Sequence, residues 1–280
     1  MKKLSKILLG TAAAAAALKG LDNRLEITHY NLSFTGLPPE FDNFKIALFS
    51  DIHCDSTAGL AEAVKGENPD IICIPGDMTH DDVPYEPFIH LLEKLVKIAP
   101  VYMCSGNHDV WRSDYVKFSS VCRDSGAYLL SDENEFIERN GAKIRIAGIE
   151  DPSAGLTKTA LGRCEKSFSR LETGDSFGIL LFHRANYFDY ICDKGFDLVL
   201  AGHMHGGLVR IPILGGFVCP KTNLISETGT FFPKYFGGEY EKNGTKMIVT
   251  RGIGNTSFIP RFYNRPELCT ITLKASVSET

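Results

Sequence analysis

The sequence predicts an α/β fold, and two patterns within its 280 residues support this prediction. In the first half, short apolar runs at residues 44–50, 70–74 and 101–104 alternate with segments of helical periodicity. In the second half, similar apolar runs recur with fewer helical segments between them. Alternating strands and helices indicate βαβ units with parallel pairing, and the second half indicates an additional, partly antiparallel sheet.

The first half opens with a strand at residues 24–30, where apolar and polar residues alternate with period two. Helices are expected between the apolar runs, at residues 58–65, 85–98 and 116–124. The helix at 85–98 has the clearest amphipathic spacing, with its apolar residues three and four positions apart. Each apolar run stops abruptly at polar residues, which is typical of strands that end at a functional edge.

The second half contains five apolar runs that read as strands. They lie at residues 143–148, 177–182, 197–201, 246–250 and 268–273. The runs at 177–182 and 197–201 each stop next to a histidine. Because candidate site residues come from both halves, a single domain fits the sequence better than two.

Composition restricts the functional classes that the chain can belong to. Hydrophobic residues make up 44% of the sequence and charged residues 23%, which is typical of a globular chain with a sizeable core. The net charge is -4, so no basic field for non-specific nucleic-acid binding is expected, although a local phosphate pocket is still possible. The 8 cysteines form no CxxC pair and are expected to be small buried hydrophobic residues.

The N-terminus differs from the rest of the chain. Residues 1–6 are basic, residues 7–18 are uncharged and rich in alanine, and Lys19 follows. This pattern predicts a signal peptide or membrane anchor at residues 1–22, followed by the folded domain at residues 23–280. The alternative is an alanine-rich helix on a cytoplasmic protein, because the apolar run is shorter than the roughly 20 residues of a membrane span.

Five polar clusters follow directly on apolar strands. In open α/β sheets, ligands bind outside the carboxyl ends of the strands, so these clusters are expected to converge on one rim. Five of the eight histidines fall within them, which scattered structural histidines would not do. The candidate metal ligands in these clusters are Asp51, His53, Asp77, Asn107, His183, His203 and His205.

The residue types are those of a dinuclear metal site. Imidazole and carboxylate suit zinc, iron and manganese, and no thiol is required. A carboxylate can bridge two metal ions about 3.5–4 Å apart, which is the spacing in two-metal phosphatases. Asp77 is the candidate for this bridge. We therefore expect two divalent or trivalent ions, Mn, Zn or Fe.

The ordered motifs Asp-x-His, Gly-Asp, Gly-Asn-His-Asp, His and Gly-His-x-His resemble the calcineurin-like metallophosphoesterase superfamily. The resemblance spans residues 51–205 and implies a four-layer αββα sandwich of two mixed β-sheets flanked by helices. It also implies the metal ligands of each ion. Asp51, His53, Asp77 and His205 would hold one ion, and Asp77, Asn107, His183 and His203 would hold the other.

Residues after the last motif are similar to a bacterial subgroup termed YkuE-like or YaeI-like. Many of its members carry an N-terminal signal or membrane segment, and some are linked to hydrolysis of UDP-2,3-diacylglucosamine. This implies a phosphate-ester or lipid-linked substrate, membrane association and a place in the cell envelope, with the cytoplasm as the alternative. One position departs from the family pattern. His80 stands where many relatives have an aspartate, so Asp81 and Asp109 are both candidates to assist the acid histidine.

The proposed chemistry is attack of an activated water on phosphorus, in line with the leaving oxygen. His108, next to the ligand Asn107, is the candidate catalytic residue together with Asp77, because a histidine can protonate the leaving group. Arg184, Arg210 and Arg251 are candidates for binding substrate phosphate. Two other readings stay open: a metal-dependent nuclease or general phosphatase, and a non-catalytic, metal-stabilised binding protein at the membrane.

Overall fold

The structure is a computed structural model, and it describes residues 11, 17–55, 57–154, 159–171, 174, 176–217, 232–255 and 259–276. Most of the predicted N-terminal signal or anchor, at residues 1–10 and 12–16, therefore lies outside the described residues. Among the helices that are described, none is both long enough and apolar enough to cross a membrane.

Two six-stranded mixed sheets form the centre of the fold. In chain order, the strands are β1 (Glu26–Phe34), β2 (Lys45–Leu48), β3 (Ile71–Pro75), β4 (Val101–Cys104), β5 (Tyr128–Leu129), β6 (Glu133–Arg139), β7 (Ala142–Gly148), β8 (Gly178–Arg184), β9 (Leu198–Gly202), β10 (Arg210–Ile211), β11 (Gly215–Gly216), β12 (Gly238–Lys242), β13 (Thr245–Val249) and β14 (Glu267–Ala275). The first sheet has the order β1-β14-β2-β3-β4-β5, and the second has the order β12-β13-β9-β8-β7-β6. Strands β10 and β11 form a separate small hairpin.

Parallel pairing dominates the middle of each sheet. Strands β2, β3, β4 and β5 are parallel neighbours in the first sheet, as are β13, β9, β8 and β7 in the second. Antiparallel pairs join β14 to β2, β12 to β13 and β6 to β7. The second sheet is therefore partly antiparallel, as predicted, with its antiparallel pairs at the edges.

Helices cover the outer face of each sheet. They are α1 (Leu60–Glu67), α2 (Glu86–Leu95), α3 (Asn107–Val110), α4 (Tyr115–Asp124), α5 (Ala160–Phe168) and α6 (Phe188–Ile191), with 3-10 turns at Pro39–Phe41, Ala185–Tyr187 and His205–Gly207. Helix α1 begins after a left-handed Gly59 and ends at Asn68, also left-handed. Pro69 then prevents the helix from continuing.

Three apolar clusters divide the core into layers. The central cluster joins residues of both sheets, such as Ile46 and Ile179, so the two sheets pack face to face. A second cluster packs the outer face of the first sheet against α1, α2 and α4, and a third packs the outer face of the second sheet against α5 and α6. Strand β3 shows the alternation, because Ile71 and Cys73 face the other sheet while Ile72 and Ile74 face the helices. The predicted four-layer sandwich is confirmed.

Candidate metal centre

Seven predicted ligands meet at the carboxyl ends of parallel strands from both sheets. Their side chains are buried, with no residue more than 5% exposed. Those from the first sheet follow β2, β3 and β4, and those from the second lie on β8 or follow β9. In chain order they are Asp51, His53, Asp77, Asn107, His183, His203 and His205. His183 lies inside β8 and not after it, close to an irregularity in the pairing of β8 with β9.

Six of these residues form two compact groups of possible metal-binding atoms. One group contains Asp51, His53 and His205, and the other contains the remaining three, Asp77, His183 and His203. Within each group, the candidate atoms lie within 4.8 Å of one another. In the first group, the Nε2 atoms of His53 and His205 are 3.3 Å apart, and in the second, His203 Nδ1 is 3.1 Å from His183 Nε2.

The Asp77 carboxylate belongs to the second group and also faces the first. Its Oδ2 atom is 3.2 Å from His183 Nε2 in the second group and 3.8 Å from His53 Nε2 in the first. Its Oδ1 atom accepts a hydrogen bond of 2.9 Å from the backbone N–H of His108. A carboxylate in this position can reach two ions at once, which is the arrangement of a bridging ligand.

A buried polar atom without a partner supports the fit to metal ions. Asn107 begins α3 with its Oδ1 atom buried and without a hydrogen-bond partner. A buried acceptor without a donor costs about 1–3 kcal/mol. Coordination of a cation would satisfy such atoms, and the oxygen and imidazole donors are those that zinc, iron and manganese bind. The residues present therefore fit a dinuclear metal centre.

The backbone at the centre adopts conformations that side chains rarely take. Asp51, His53, Asp77, His203 and His205 all have positive φ, between 47° and 71°. Each residue in such a conformation costs on the order of 1–3 kcal/mol and persists only where its surroundings fix it. Concentration of this strain at five of the seven ligands is typical of a functional site.

Buried hydrogen bonds fix the orientation of the imidazole rings. His183 Nδ1 donates to the carbonyl oxygen of Pro75 at 2.8 Å, so its Nε2 atom points to Asp77. His53 Nδ1 lies 3.3 Å from the carbonyl oxygen of Thr79, which leaves Nε2 to face His205. Partners of this kind select the tautomer of a metal-binding histidine.

Burial keeps most of the imidazoles neutral. It lowers the pKa of His53 to about 3 and the pKa of His203 and His205 well below the usual range. His183 differs, because the charge of Asp77 and their hydrogen bond outweigh burial and raise its pKa to about 10. Burial also opposes ionisation of Asp77, but the charge of His183 holds the pKa of this carboxyl well below its usual range. Without metal, a proton therefore lies between Asp77 and His183.

His108 lies at the rim of the centre, with a carboxylate behind it. Its Nδ1 atom is 2.8 Å from Asp81 Oδ1, and its ring packs edge-on against His53. Asp109, the other candidate, has a different role. It accepts hydrogen bonds from the backbone N–H groups of Thr79 and Gly106, both at 2.9 Å, and is buried. Of the two carboxylates, Asp81 therefore contacts His108.

Two of the three candidate arginines form ion pairs with carboxylates of this chain. Arg184 is 2% exposed and donates through Nε and Nη2 to Asp151, at 2.7 and 3.1 Å. Arg251 Nη2 lies 2.7 Å from Glu26 and 3.2 Å from Glu267. Arg210 packs over the ring of Phe236 and has no carboxylate within ion-pair distance in the described part of the chain.

Three residues near the centre had no role in the sequence-based prediction. The His80 ring lies 4.5 Å from the His108 ring, and the Trp111 ring lies 5.0 Å from it. Asn264 donates to the carbonyl oxygens of His205 and Leu208, and so holds the turn that carries His205. Asn264 lies 59 residues from His205 in the sequence, and no local signal links the two.

Comparison with known proteins identifies related chains. The family model for the calcineurin-like phosphoesterase domain matches residues 44–207. The chain is 28% identical to the uncharacterized metallophosphoesterase YkuE of Bacillus subtilis, over 99% of this chain and 100% of that protein. It is 25% identical to the phosphodiesterase YaeI of Escherichia coli, over 82% of each chain. It is 22% identical to the UDP-2,3-diacylglucosamine pyrophosphatase LpxG of Chlamydia trachomatis, over 88% of each.

Proposed function

Because this chain belongs to the calcineurin-like metallophosphoesterase family, we propose that it hydrolyses a phosphodiester or pyrophosphate bond with two metal ions. The family establishes phosphoester hydrolysis as the class of reaction. The finer proposal rests on one observation above all. The Asp77 carboxylate oxygen Oδ2 lies 3.2 Å from His183 Nε2 in its own group and 3.8 Å from His53 Nε2 in the other group.

We assign the ligands to the two ions by their grouping. Asp51, His53 and His205 would hold one ion, His183, His203 and Asn107 the other, and Asp77 would bridge them. When bound, the ions supply Lewis-acid chemistry at the phosphoryl oxygens and lower the pKa of the attacking water. We propose manganese, zinc or iron, because the donors are imidazole nitrogens and carboxylate or amide oxygens.

His108 is proposed as the proton donor to the leaving oxygen. Asp81 accepts the Nδ1 proton of His108 at 2.8 Å and thereby fixes the tautomer, which leaves Nε2 for transfer. The backbone N–H of His108 donates to Asp77, so one residue couples the bridging carboxylate to the acid. The His108 side chain is 20% exposed, in contrast to the buried ligands, and a substrate at the rim can reach it.

The proposed substrate is a lipid-linked or cell-envelope nucleotide sugar of the UDP-2,3-diacylglucosamine class. Support comes from LpxG, a pyrophosphatase for that compound, and from YaeI, a phosphodiesterase. This chain is 22% identical to LpxG and 25% identical to YaeI, so the substrate class is a proposal. Phosphoester hydrolysis, in contrast, is shown by the family. The net charge of -4 disfavours a nuclease, because nucleic-acid binding draws most of its affinity from contacts between basic side chains and phosphates.

We also propose that the N-terminal segment attaches the protein to a membrane. The described residues at the end of this segment support the proposal, because Leu18 and Leu21 are 73% and 49% exposed. Lys19 shares a surface groove with Arg210 and with the apolar hairpin tip at Ile213, which is fully exposed. Sedimentation of the full chain with anionic lipid vesicles tests this, and recovery of all protein in the supernatant would contradict it.

A metal-supplemented activity screen with two variants tests the catalytic assignment. The substrates are phosphomonoesters, bis-p-nitrophenyl phosphate and UDP-sugar pyrophosphates. Asp77→Asn is expected to abolish phosphodiester hydrolysis and weaken metal binding, because the bridge loses its charge. His108→Ala is expected to keep both metals and lose about 10²–10⁴-fold in kcat. Metal content is measured by elemental analysis.

Controls are chosen from exposed residues of the same types. Asp124→Asn on α4 and His90→Ala on α2 are expected to retain wild-type metal content and turnover. Wild-type turnover by Asp77→Asn with added manganese would contradict the bridging role. Loss of metal by His108→Ala would show that His108 is a structural residue and not the acid.

A further inference from the structure

The sequence contains a single tryptophan, and it lies at the rim of the proposed active site. Trp111 follows the short helix α3 that carries Asn107 and His108, and it is 49% exposed. Its ring stands edge-on to the His108 ring, with centroids 5.0 Å apart. A large aromatic side chain half in solvent, beside a proposed proton donor, is a typical feature of a ligand contact.

The rim around Trp111 is held firmly by hydrogen bonds. Arg112 donates through Nη1 to the carbonyl oxygens of Asp81 and Val83, the latter at 2.7 Å. Ser113 donates from its backbone N–H and its hydroxyl to Asp82 Oδ1, at 2.9 and 2.8 Å. These bonds fasten residues 81–83 to residues 112–113. Trp111 therefore lies next to two loops that are held together by hydrogen bonds. Little conformational entropy of these loops would be lost when a ligand binds.

The same rim carries further ring and apolar surface. His80 packs at 4.5 Å from His108 with an angle of 33° between the rings, and its buried Nδ1 atom has no hydrogen-bond partner. Val83 is 44% exposed. The rings of His80 and Trp111 thus both contact the His108 ring, and the Nδ1 atom of His80 is available for a further hydrogen bond.

We propose that Trp111, with His80 and Val83, forms a subsite for a planar ring of the nucleobase class on the leaving side of the substrate. This rests on the proposed function, since it takes His108 as the group that protonates the leaving oxygen. Whatever is bonded to that oxygen then extends past His108 to the rim. The exposed part of the indole offers it a stacking surface. Stacking of one base on an aromatic side chain commonly strengthens binding about tenfold or more.

Two inhibitors that differ only in the base test the subsite. Uridine 5′-monophosphate and ribose 5-phosphate share the ribose and the phosphate. Their inhibition constants are measured against bis-p-nitrophenyl phosphate hydrolysis by the manganese-loaded full chain. The wild type is expected to bind the uridine compound about tenfold more tightly. Trp111→Ala is expected to remove this preference, and Trp111→Phe to keep most of it. Val116→Ala, an 84% exposed apolar residue on α4, is the matched control and should keep the wild-type ratio.

The ratio of the two constants separates binding from positioning. If Trp111 only oriented His108, Trp111→Ala would change both constants equally, and that result would overturn the proposal. Equal inhibition constants for the two compounds in the wild type would also overturn the subsite. If the wild type still hydrolysed bis-p-nitrophenyl phosphate, the proposed function would stand without it.

Fluorescence gives a second readout that does not need turnover. Because Trp111 is the single tryptophan, the uridine compound should quench the intrinsic emission of the wild type, and ribose 5-phosphate should not. Absence of this difference in the metal-loaded wild type would refute the subsite even if Trp111→Ala failed to fold. If the wild type hydrolyses no phosphoester while the quenching occurs, the proposed function fails and the subsite stands.

Discussion

At the scale of single residues, Asp77 and His183 form a buried ion pair within the proposed metal centre. Their side chains lie 3.2 Å apart and are fully buried. The neighbouring imidazoles of His53, His203 and His205 are held neutral by burial, whereas His183 has its pKa raised to about 10 by Asp77. In the metal-free protein at neutral pH, the proton on His183 Nε2 therefore occupies the direction in which a metal ion would bind.

Metal binding is expected to release this proton. A group with a pKa of about 10 is protonated throughout the range from pH 6 to 9, and a metal ion must displace the proton. The affinity of that site should therefore rise about tenfold per pH unit over this range. Calorimetric titration with manganese in two buffers of different ionisation enthalpy measures the protons released. An affinity independent of pH would show that His183 is already neutral without metal.

The sequence predicted which residues gather but not how their partners are arranged. The residue types after each strand were sufficient to bring all seven side chains to one rim, and the family resemblance placed His205 with Asp51 and His53 but His203 in the other group, as the structure does. The choice between Asp81 and Asp109 as the partner of His108 could not be made, because Asp81 comes from a different loop and the sequence does not give the distance between the two loops. The structure distinguishes the two carboxylates, since Asp109 accepts hydrogen bonds from the backbone N–H groups of Thr79 and Gly106.

At the scale of elements, close packing of the strand ends determines the geometry of the centre. Gly106 precedes α3, and a Cβ atom added there would overlap the Asp77 carboxylate and backbone. Gly76 has a φ of 86°, and a Cβ atom there would lie 2.6 Å from His183 Nδ1. The ends of β3 and β4 therefore approach closely because glycines stand at these positions.

Gly106→Ala is expected to displace Asp77 and weaken metal binding while the sheets stay folded. The added methyl group cannot be accommodated unless the carboxylate or the α3 backbone moves. Far-ultraviolet circular dichroism and elemental analysis measure the two effects separately. Gly66→Ala within α1 is the matched control, because nothing lies within 4 Å of its Cβ position. That change should leave metal content unaltered and stabilise the helix by up to about 1 kcal/mol. Full metal content in Gly106→Ala would contradict the tight packing.

Buried strands were predictable, whereas the two polar edge strands of the second sheet were not. Strand β3 is buried along its whole length, and its apolar run gave its position within a residue. Strands β6 and β12, with the sequences ENEFIER and GEYEK, are edge strands with much exposed surface. Their polar residues face solvent, so they carry little of the hydrophobic signal from which strands are predicted. The parallel pairing of β1 with β14 joins the two ends of the domain and has no local signal at all.

At the scale of the whole molecule, the ligands connect two sheets that otherwise meet through apolar packing. Asp51, His53 and Asp77 belong to the first sheet, and His183, His203 and His205 to the second. Each proposed ion draws ligands from both sheets. Metal ions at this position would act as cross-links between the halves of the sandwich. The family resemblance already implied that each ion takes ligands from both halves of the chain, and the structure places these halves in different sheets.

Removal of metal is therefore expected to lower the stability of the entire domain and not only its activity. A ligand that binds only the folded state, at about 100 times its dissociation constant, stabilises that state by about 2.7 kcal/mol. For a chain of this size, each site should then raise the Tm by about 5–10 °C. Differential scanning calorimetry with EDTA and then with excess manganese measures the change. The Asp124→Asn control should respond as the wild type does, and Asp77→Asn should respond much less because its bridge is lost. If EDTA left the wild-type Tm unchanged after complete metal removal, the two sheets would be held by their apolar core alone, and the ions would have no structural role.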